Sequence, residues 1–183
     1  MKKALVPLAD GFEDIEAVSI IDVLRRGGVN VVTASLSDGR TVRSAHGIRM
    51  EADTRILDAL GGEYDAIILP GGGEGTQNLS ECGPLLERLR RQRAEGGFVC
   101  AICAAPTVLE LAEVIEDEAV TCYPSCAAQM GRPVESVPVI ADGQIITGQG
   151  PGAAMLFALV VLAHLMDEKT AHGVANGMIA EFS

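Results

Sequence analysis

The stretch Phe98-Val99-Cys100-Ala101-Ile102-Cys103-Ala104-Ala105-Pro106 places a thiol where chemistry can occur. An apolar run of strand length ends at Ile102, and Pro106 suits a first helical turn, where its missing N–H is not needed. The residue between them sits on a sharp strand-to-helix elbow, its side chain raised above the sheet. Small Ala104 and Ala105 let the strand and helix approach closely. A thiol there faces the positive end of the helix dipole, which favours the nucleophilic thiolate. A lowered thiol pKa at Cys103 is therefore expected. The competing reading is a small buried hydrophobe, the ordinary fate of a free cysteine.

Four further cysteines bear on that chemistry. Cys100 and Cys103 form a C-x-x-C, but a redox pair needs both at a helix start. Cys100 lies inside the strand, where alternation should turn the two side chains apart. Cys122 and Cys126 flank Tyr123-Pro124 after the next apolar run. Zinc held by Cys103, Cys122 and Cys126 matches no common ligand spacing. Cys126 as a resolving thiol is the weaker alternative, and Cys82, before Gly83-Pro84, reads as incidental.

Strands and helices must alternate to hold the elbow. Ala4 to Ala9 reads as a strand, followed by a helix over Glu13 to Arg26 with apolar residues at Ile15, Val18, Ile21 and Leu24. Gly27-Gly28 stops it. Val31 to Ser35 is a second strand, and Thr41 to Glu51 a small ribbon with a turn at Asp38-Gly39. Ala66 to Leu69 is a strand running into Pro70-Gly71-Gly72-Gly73. Helices are expected over Pro84 to Arg93 and Ala104 to Val114, and another strand over Val120 to Tyr123. Val137 to Ile140 and Gln144 to Thr147 form a hairpin about Asp142-Gly143. An apolar helix follows Gly150-Pro151-Gly152, and a last helix covers Glu168 to Met178. The pattern predicts an α/β fold: a mostly parallel, doubly wound sheet covered on both faces, with its ligand site beyond the carboxyl ends of the strands.

With 183 residues, 48% hydrophobic and 21% charged, the chain suits one globular domain, 1–183. A net charge of -11 argues against nucleic acid and anionic membrane as partners. The longest apolar run, Ala153 to Ala163, is too short for a spanning helix of roughly 18 residues or more. No secretory signal is read at Met1-Lys2-Lys3, so a cytoplasmic location with reduced thiols is expected.

Taken together, Ile67-Ile68-Leu69-Pro70-Gly71-Gly72, Ala101-Ile102-Cys103-Ala104-Ala105-Pro106 and Gly148-Gln149-Gly150-Pro151-Gly152 resemble the ThiJ/PfpI superfamily. Gly11-Phe12-Glu13-Asp14-Ile15-Glu16-Ala17-Val18 is similar to its Parkinsonism-associated branch. The resemblance spans nearly the whole chain and implies a flavodoxin-like three-layer sandwich of the class I glutamine amidotransferase-like type, usually a homodimer. It implies that Cys103 is the reactive residue and that Glu16 hydrogen-bonds it. A buried Glu16 beside a thiolate should keep its proton. Glu13 and Asp14 are expected on the solvated side as helix N-terminal acids. The amides of Gly71, Gly72 and Ala104 would form an oxyanion hole.

Two positions depart from the pattern. Tyr123 stands where animal members carry His, as in the bacterial group, and its phenol cannot serve as a neutral-pH base. His46 stands where many members carry Arg, and could approach Cys103 from a dimer partner; a surface or interface role is the more ordinary reading. His164 and His172 read as helix-packing or surface residues. The resemblance implies a cysteine-dependent enzyme acting on reactive aldehydes, or on glycated amines and thiols, without cofactor or metal. The activity would be that of a glutathione-independent glyoxalase or protein deglycase. The alternatives are a redox-sensing chaperone whose cysteine oxidises to a sulfinate, and the family labels of thiazole monophosphate biosynthesis and intracellular peptidase. The first label finds no phosphate-binding loop here, and Tyr123 weakens the second.

Overall fold

A computed structural model describes residues 1–182. The chain runs β1 (Lys3–Leu8), α1 (Asp14–Arg26), β2 (Asn30–Ser35), β3 (Thr41–Arg43), β4 (Arg49–Glu51), β5 (Thr54–Arg55), α2 (Ile56–Ala59) and β6 (Ala66–Leu69). It continues through α3 (Gly73–Glu81), α4 (Gly83–Ala94), β7 (Phe98–Ile102), α5 (Pro106–Leu111), β8 (Val139–Asp142), β9 (Ile145–Gly148), α6 (Ala154–Leu165) and α7 (Glu168–Met178). Seven strands form one sheet in the order β5-β2-β1-β6-β7-β9-β8, parallel except for the β8–β9 hairpin. β3 and β4 form a separate antiparallel ribbon.

Alternation along the parallel strands builds both cores. Ala4, Val6 and Leu8 of β1 pack with α1, α6 and α7, while Leu5 packs with α2 to α5 on the other face. Residues buried on both faces explain why these strands read as unbroken apolar runs. Each fully buried Leu, Ile or Val stabilises the fold by roughly 1.5–3 kcal/mol. The strand order reverses between β1 and β6, which opens a crevice at their carboxyl ends.

Several sequence expectations are corrected. Val120–Tyr123 is not a strand, because β9 occupies the place beside β7. The Thr121 amide donates to the Thr147 hydroxyl and the Thr121 hydroxyl to the Val137 carbonyl, so side chains replace ladder bonds. The ribbon turns at Ser44–Ile48 rather than Asp38-Gly39, closed by Ser44 and Ile48 amide–carbonyl bonding and the Ile48 amide on Ser44 Oγ. α5 ends at Leu111, short of Val114. α3 was not legible: Gly73-Glu74-Gly75-Thr76 reads as loop, and the helix forms because it docks on Gly11 and Phe12. Among the described residues no helix is long and apolar enough to cross a membrane.

Candidate active site

Cys103 follows β7 with φ of +66°, a left-handed backbone rare for a residue with a side chain. Its amide donates to the Gly148 carbonyl at 2.9 Å, and its carbonyl accepts the Tyr123 amide at 2.7 Å. Bonds on both sides hold this conformation, which costs of order 1–3 kcal/mol. The same twist corrects the expected divergence of the two cysteines. Alternation alone would aim Cys103 with Val99 and Ala101; instead it packs on the α1 and α6 side with Cys100 and Ile102. All five cysteines are free.

Glu16 meets Cys103 from the first turn of α1. It is fully buried, and its Oε2 accepts the Gly71 amide at 2.8 Å. Its Oε1 has no hydrogen-bond partner. Position 71 must be glycine: a Cβ there would lie 2.7 Å from Cys103 Cβ and 2.8 Å from the Ile102 carbonyl oxygen. Gly72, at φ of +97°, packs equally tightly, since its Cβ would fall 2.3 Å from the Gly11 carbonyl oxygen. The Gly71 amide therefore serves Glu16, while the Gly72 and Ala104 amides donate toward the sulfur.

Burial pushes the Glu16 carboxyl up to about 7, against the pull of the Gly71 amide and the Cys103 contact. Burial, then the charge and hydrogen bond of Glu16, push the Cys103 thiol up to about 12, against the Gly72 and Ala104 amides. This direction overturns the expected lowering. α5 begins only at Pro106 and is six residues long, so its dipole is weak beside burial and a neighbouring carboxylate. Two of the causes raising the thiol vanish once Glu16 is protonated, so a neutral Glu16 favours the thiolate more than an ionised one does.

Glu13 also differs from expectation. It is buried, 8% exposed, and its Oε2 caps α1 by accepting the Glu16 amide at 2.7 Å. Asp14 accepts from the Ser44 hydroxyl and the His46 amide, and its Oδ2 lies 2.7 Å from His46 Nδ1. His46 is thus tied to the first turn of its own chain's α1. Tyr123 is exposed and joins Pro124, Pro138, Gln149 and Pro151 in lining a groove of about 300 Å³.

The other cysteines separate from the pair. Cys100 is fully buried, and its thiol is raised by burial. Cys126 is half-buried, its amide bonded to the Tyr123 carbonyl. Burial, then the nearby Cys126, push the Cys122 thiol up to about 11. Among the described residues the one grouping with metal-ligand atoms within 4.8 Å of one another is Glu13, Asp14 and His46. The three-cysteine zinc site is not assembled. His164 packs edge-on against Phe98, and His172 against Phe182.

Residues 2–164 match the model of the DJ-1/PfpI family. The chain is 36% identical over 185 residues to Protein dj-1beta of Drosophila melanogaster, across 100% of this chain and 99% of that protein. It is 39% identical over 168 residues to a Caenorhabditis elegans protein named glutathione-independent glyoxalase DJR-1.2, covering 90% of this chain and 89% of that one. Among solved structures, oxidized DJ-1 of Toxoplasma gondii superposes with a TM-score of 0.96 at 34% identity, over the whole of both chains.

Proposed function

The chain belongs to the DJ-1/PfpI family, and we propose that within it the protein is a cysteine-dependent enzyme converting small reactive aldehydes to hydroxy acids without glutathione. The observation that carries this reading is the Cys103–Glu16 pair in a dry site with two amides aimed at the sulfur. The worm relative named as a glyoxalase supports the same class.

The arrangement suits methylglyoxal. Thiolate Cys103 attacks the aldehyde carbon, forming the S–C bond and pushing the carbonyl pair onto oxygen. Neutral Glu16 protonates that oxygen and becomes a carboxylate. It then takes the C–H proton of the same carbon, giving an enediol, and returns it to the adjacent carbon while the hydroxyl proton passes from the first oxygen to the second, leaving a lactoyl thioester. The Gly72 and Ala104 amides stabilise charge as it develops beside the sulfur. Water cleaves the thioester to lactate and frees Cys103. Methylglyoxal plus water equals lactic acid, so no oxidant or metal enters. The groove beside Tyr123 accommodates the rest of an aldehyde or a glycated amine.

The proposal includes a homodimer, supported by exposed Ile15 and Val18 on α1 and Ile48 on the ribbon. Light scattering should return twice the chain mass. The direct test of activity is lactate formation from methylglyoxal in glutathione-free buffer. Wild type should turn over and Cys103→Ser should not; equal rates would overturn the reading.

A second reading is favoured by the unpartnered Glu16 Oε1. A protonated carboxyl donates well to a sulfinate, so Cys103 could register peroxide. Intact-mass spectrometry should then show two added oxygens confined to Cys103. Oxygen scattered over all five cysteines would contradict it.

A further inference from the structure

α4 packs on the opposite face of the sheet from α1. Its buried residues are Leu85, Arg88, Leu89 and Gln92, the spacing of an apolar helix stripe. Half of that stripe is polar: Arg88 is 3% exposed and Gln92 1%. Internal bonding does not account for Arg88. Its Nη2 donates to the Gly62 carbonyl at a long 3.3 Å, and its Cζ lies 5.8 Å from the Tyr64 ring centroid. Glu95 stands 3.9 Å from Nη1, too far to bond. Arg88 Nε and Nη1, and Gln92 Oε1, have no hydrogen-bond partner. A guanidinium keeps its charge, so a buried one with idle donors is costly until an anion completes it.

Arg88 forms part of the wall of a cavity of about 420 Å³ between α4 and the end of α2. Arg91 lines it too, its Nη2 held on the Leu60 carbonyl at 2.7 Å. Burial, then the charge of Arg91, lower the Arg88 guanidinium from its ordinary value, so the two cations weaken each other. An anion between them would reverse that. Leu60, Gly61 and Pro84 add uncharged wall, and Glu87 is exposed to water, which screens its charge. The other two arginines of α4 are engaged elsewhere: Arg90 on the Ala112 carbonyl, Arg93 on Glu118 and Gln144. With a net charge of -11, the chain as a whole repels anions, so binding here depends on this local pair.

We infer that this cavity binds a small phosphate monoester, its phosphate on the Arg88 and Arg91 guanidiniums and its organic part against Leu60 and Pro84. Two guanidiniums match a dianion, and their planar forks suit phosphate oxygens. The cavity is larger than one phosphate needs, and its apolar wall leaves room for a short carbon chain. The site is independent of the carbonyl reading above.

The test is calorimetric titration of the full chain at fixed ionic strength with inorganic phosphate, glycerol 3-phosphate and acetate. Wild type should bind both phosphates, glycerol 3-phosphate the more tightly, and acetate more weakly than either. Arg88→Met keeps an unbranched buried stem and should weaken phosphate binding roughly tenfold or more. Arg91→Gln changes an exposed residue, and Gly61→Glu adds a Cβ that meets nothing, so both should fold. Each should weaken phosphate binding roughly threefold. No binding by wild type, or undiminished binding in Arg88→Met, would overturn the inference. If Arg88→Met does not fold, the two exposed variants decide, and unchanged affinity in both would overturn it. Acetate binding as tightly as phosphate would overturn the dianion assignment, and inorganic phosphate binding more tightly than glycerol 3-phosphate the monoester assignment.

Discussion

Cys100 and Cys103 lie three residues apart in one strand-and-elbow segment, and both are nearly or wholly buried. Burial raises both thiols. Neither exposure nor a low pKa therefore separates them. The difference lies in their polar neighbours: apart from one hydrogen bond at Ile146, nothing in Cys100's surroundings lowers its thiol pKa, while Cys103 meets a carboxyl and two amides. A buried thiol becomes usable when a partner can hold its proton and fixed donors can receive the charge.

The largest expected effect is loss of lactate formation in Cys103→Ser, by roughly a thousandfold or more. Cys100→Ala should keep the activity while lowering stability by about 1 kcal/mol in a denaturant titration, since it removes one buried atom. Loss of activity in both would erase the distinction.

Next in size is the pH dependence set by Glu16. Its carboxyl is raised from 4.5 to about 7 in the folded chain. Below 4.5 both folded and unfolded chains hold the proton. As pH rises to 7, the unfolded chain releases it and the folded chain does not. Stability should therefore fall through this window, by on the order of 3 kcal/mol from this group. Glu16→Gln should lose that slope in urea titrations, and an unchanged slope would place its origin elsewhere.

Gly71→Ala should follow. The added Cβ meets Cys103 Cβ and the Ile102 carbonyl, so overpacking should cost roughly 1–3 kcal/mol. Displacing Glu16 should lower lactate formation as well, checked by calorimetry and turnover. Gly73→Ala, where an added Cβ meets nothing, should leave the turnover unchanged.

The elbow was legible because its cause is local: a β-run, two alanines and Pro106 leave one place for Cys103. The sheet was legible for the same reason, since its strands are buried on both faces. The resemblance carried Glu16 and the glycine amides. The burial of Glu13 was hidden because it depends on the distant ribbon, which bonds Gly11 through Arg43 and Phe12 through Ala45. The tie between His46 and Asp14 spans the same gap. The thiol's direction of shift was misread because dipole arguments ignore how deeply a side chain sits and what charge lies beside it.

The most direct measurement is the rate of Cys103 alkylation against pH in wild type, Glu16→Gln and Glu16→Leu. If Glu16 holds the proton when the thiolate forms, Leu removes a donor and should move the profile to higher pH, while Gln, still a donor, should stay near wild type. A Leu profile at lower pH would mean that Glu16 stands ionised beside the sulfur, and would contradict the shared-proton account.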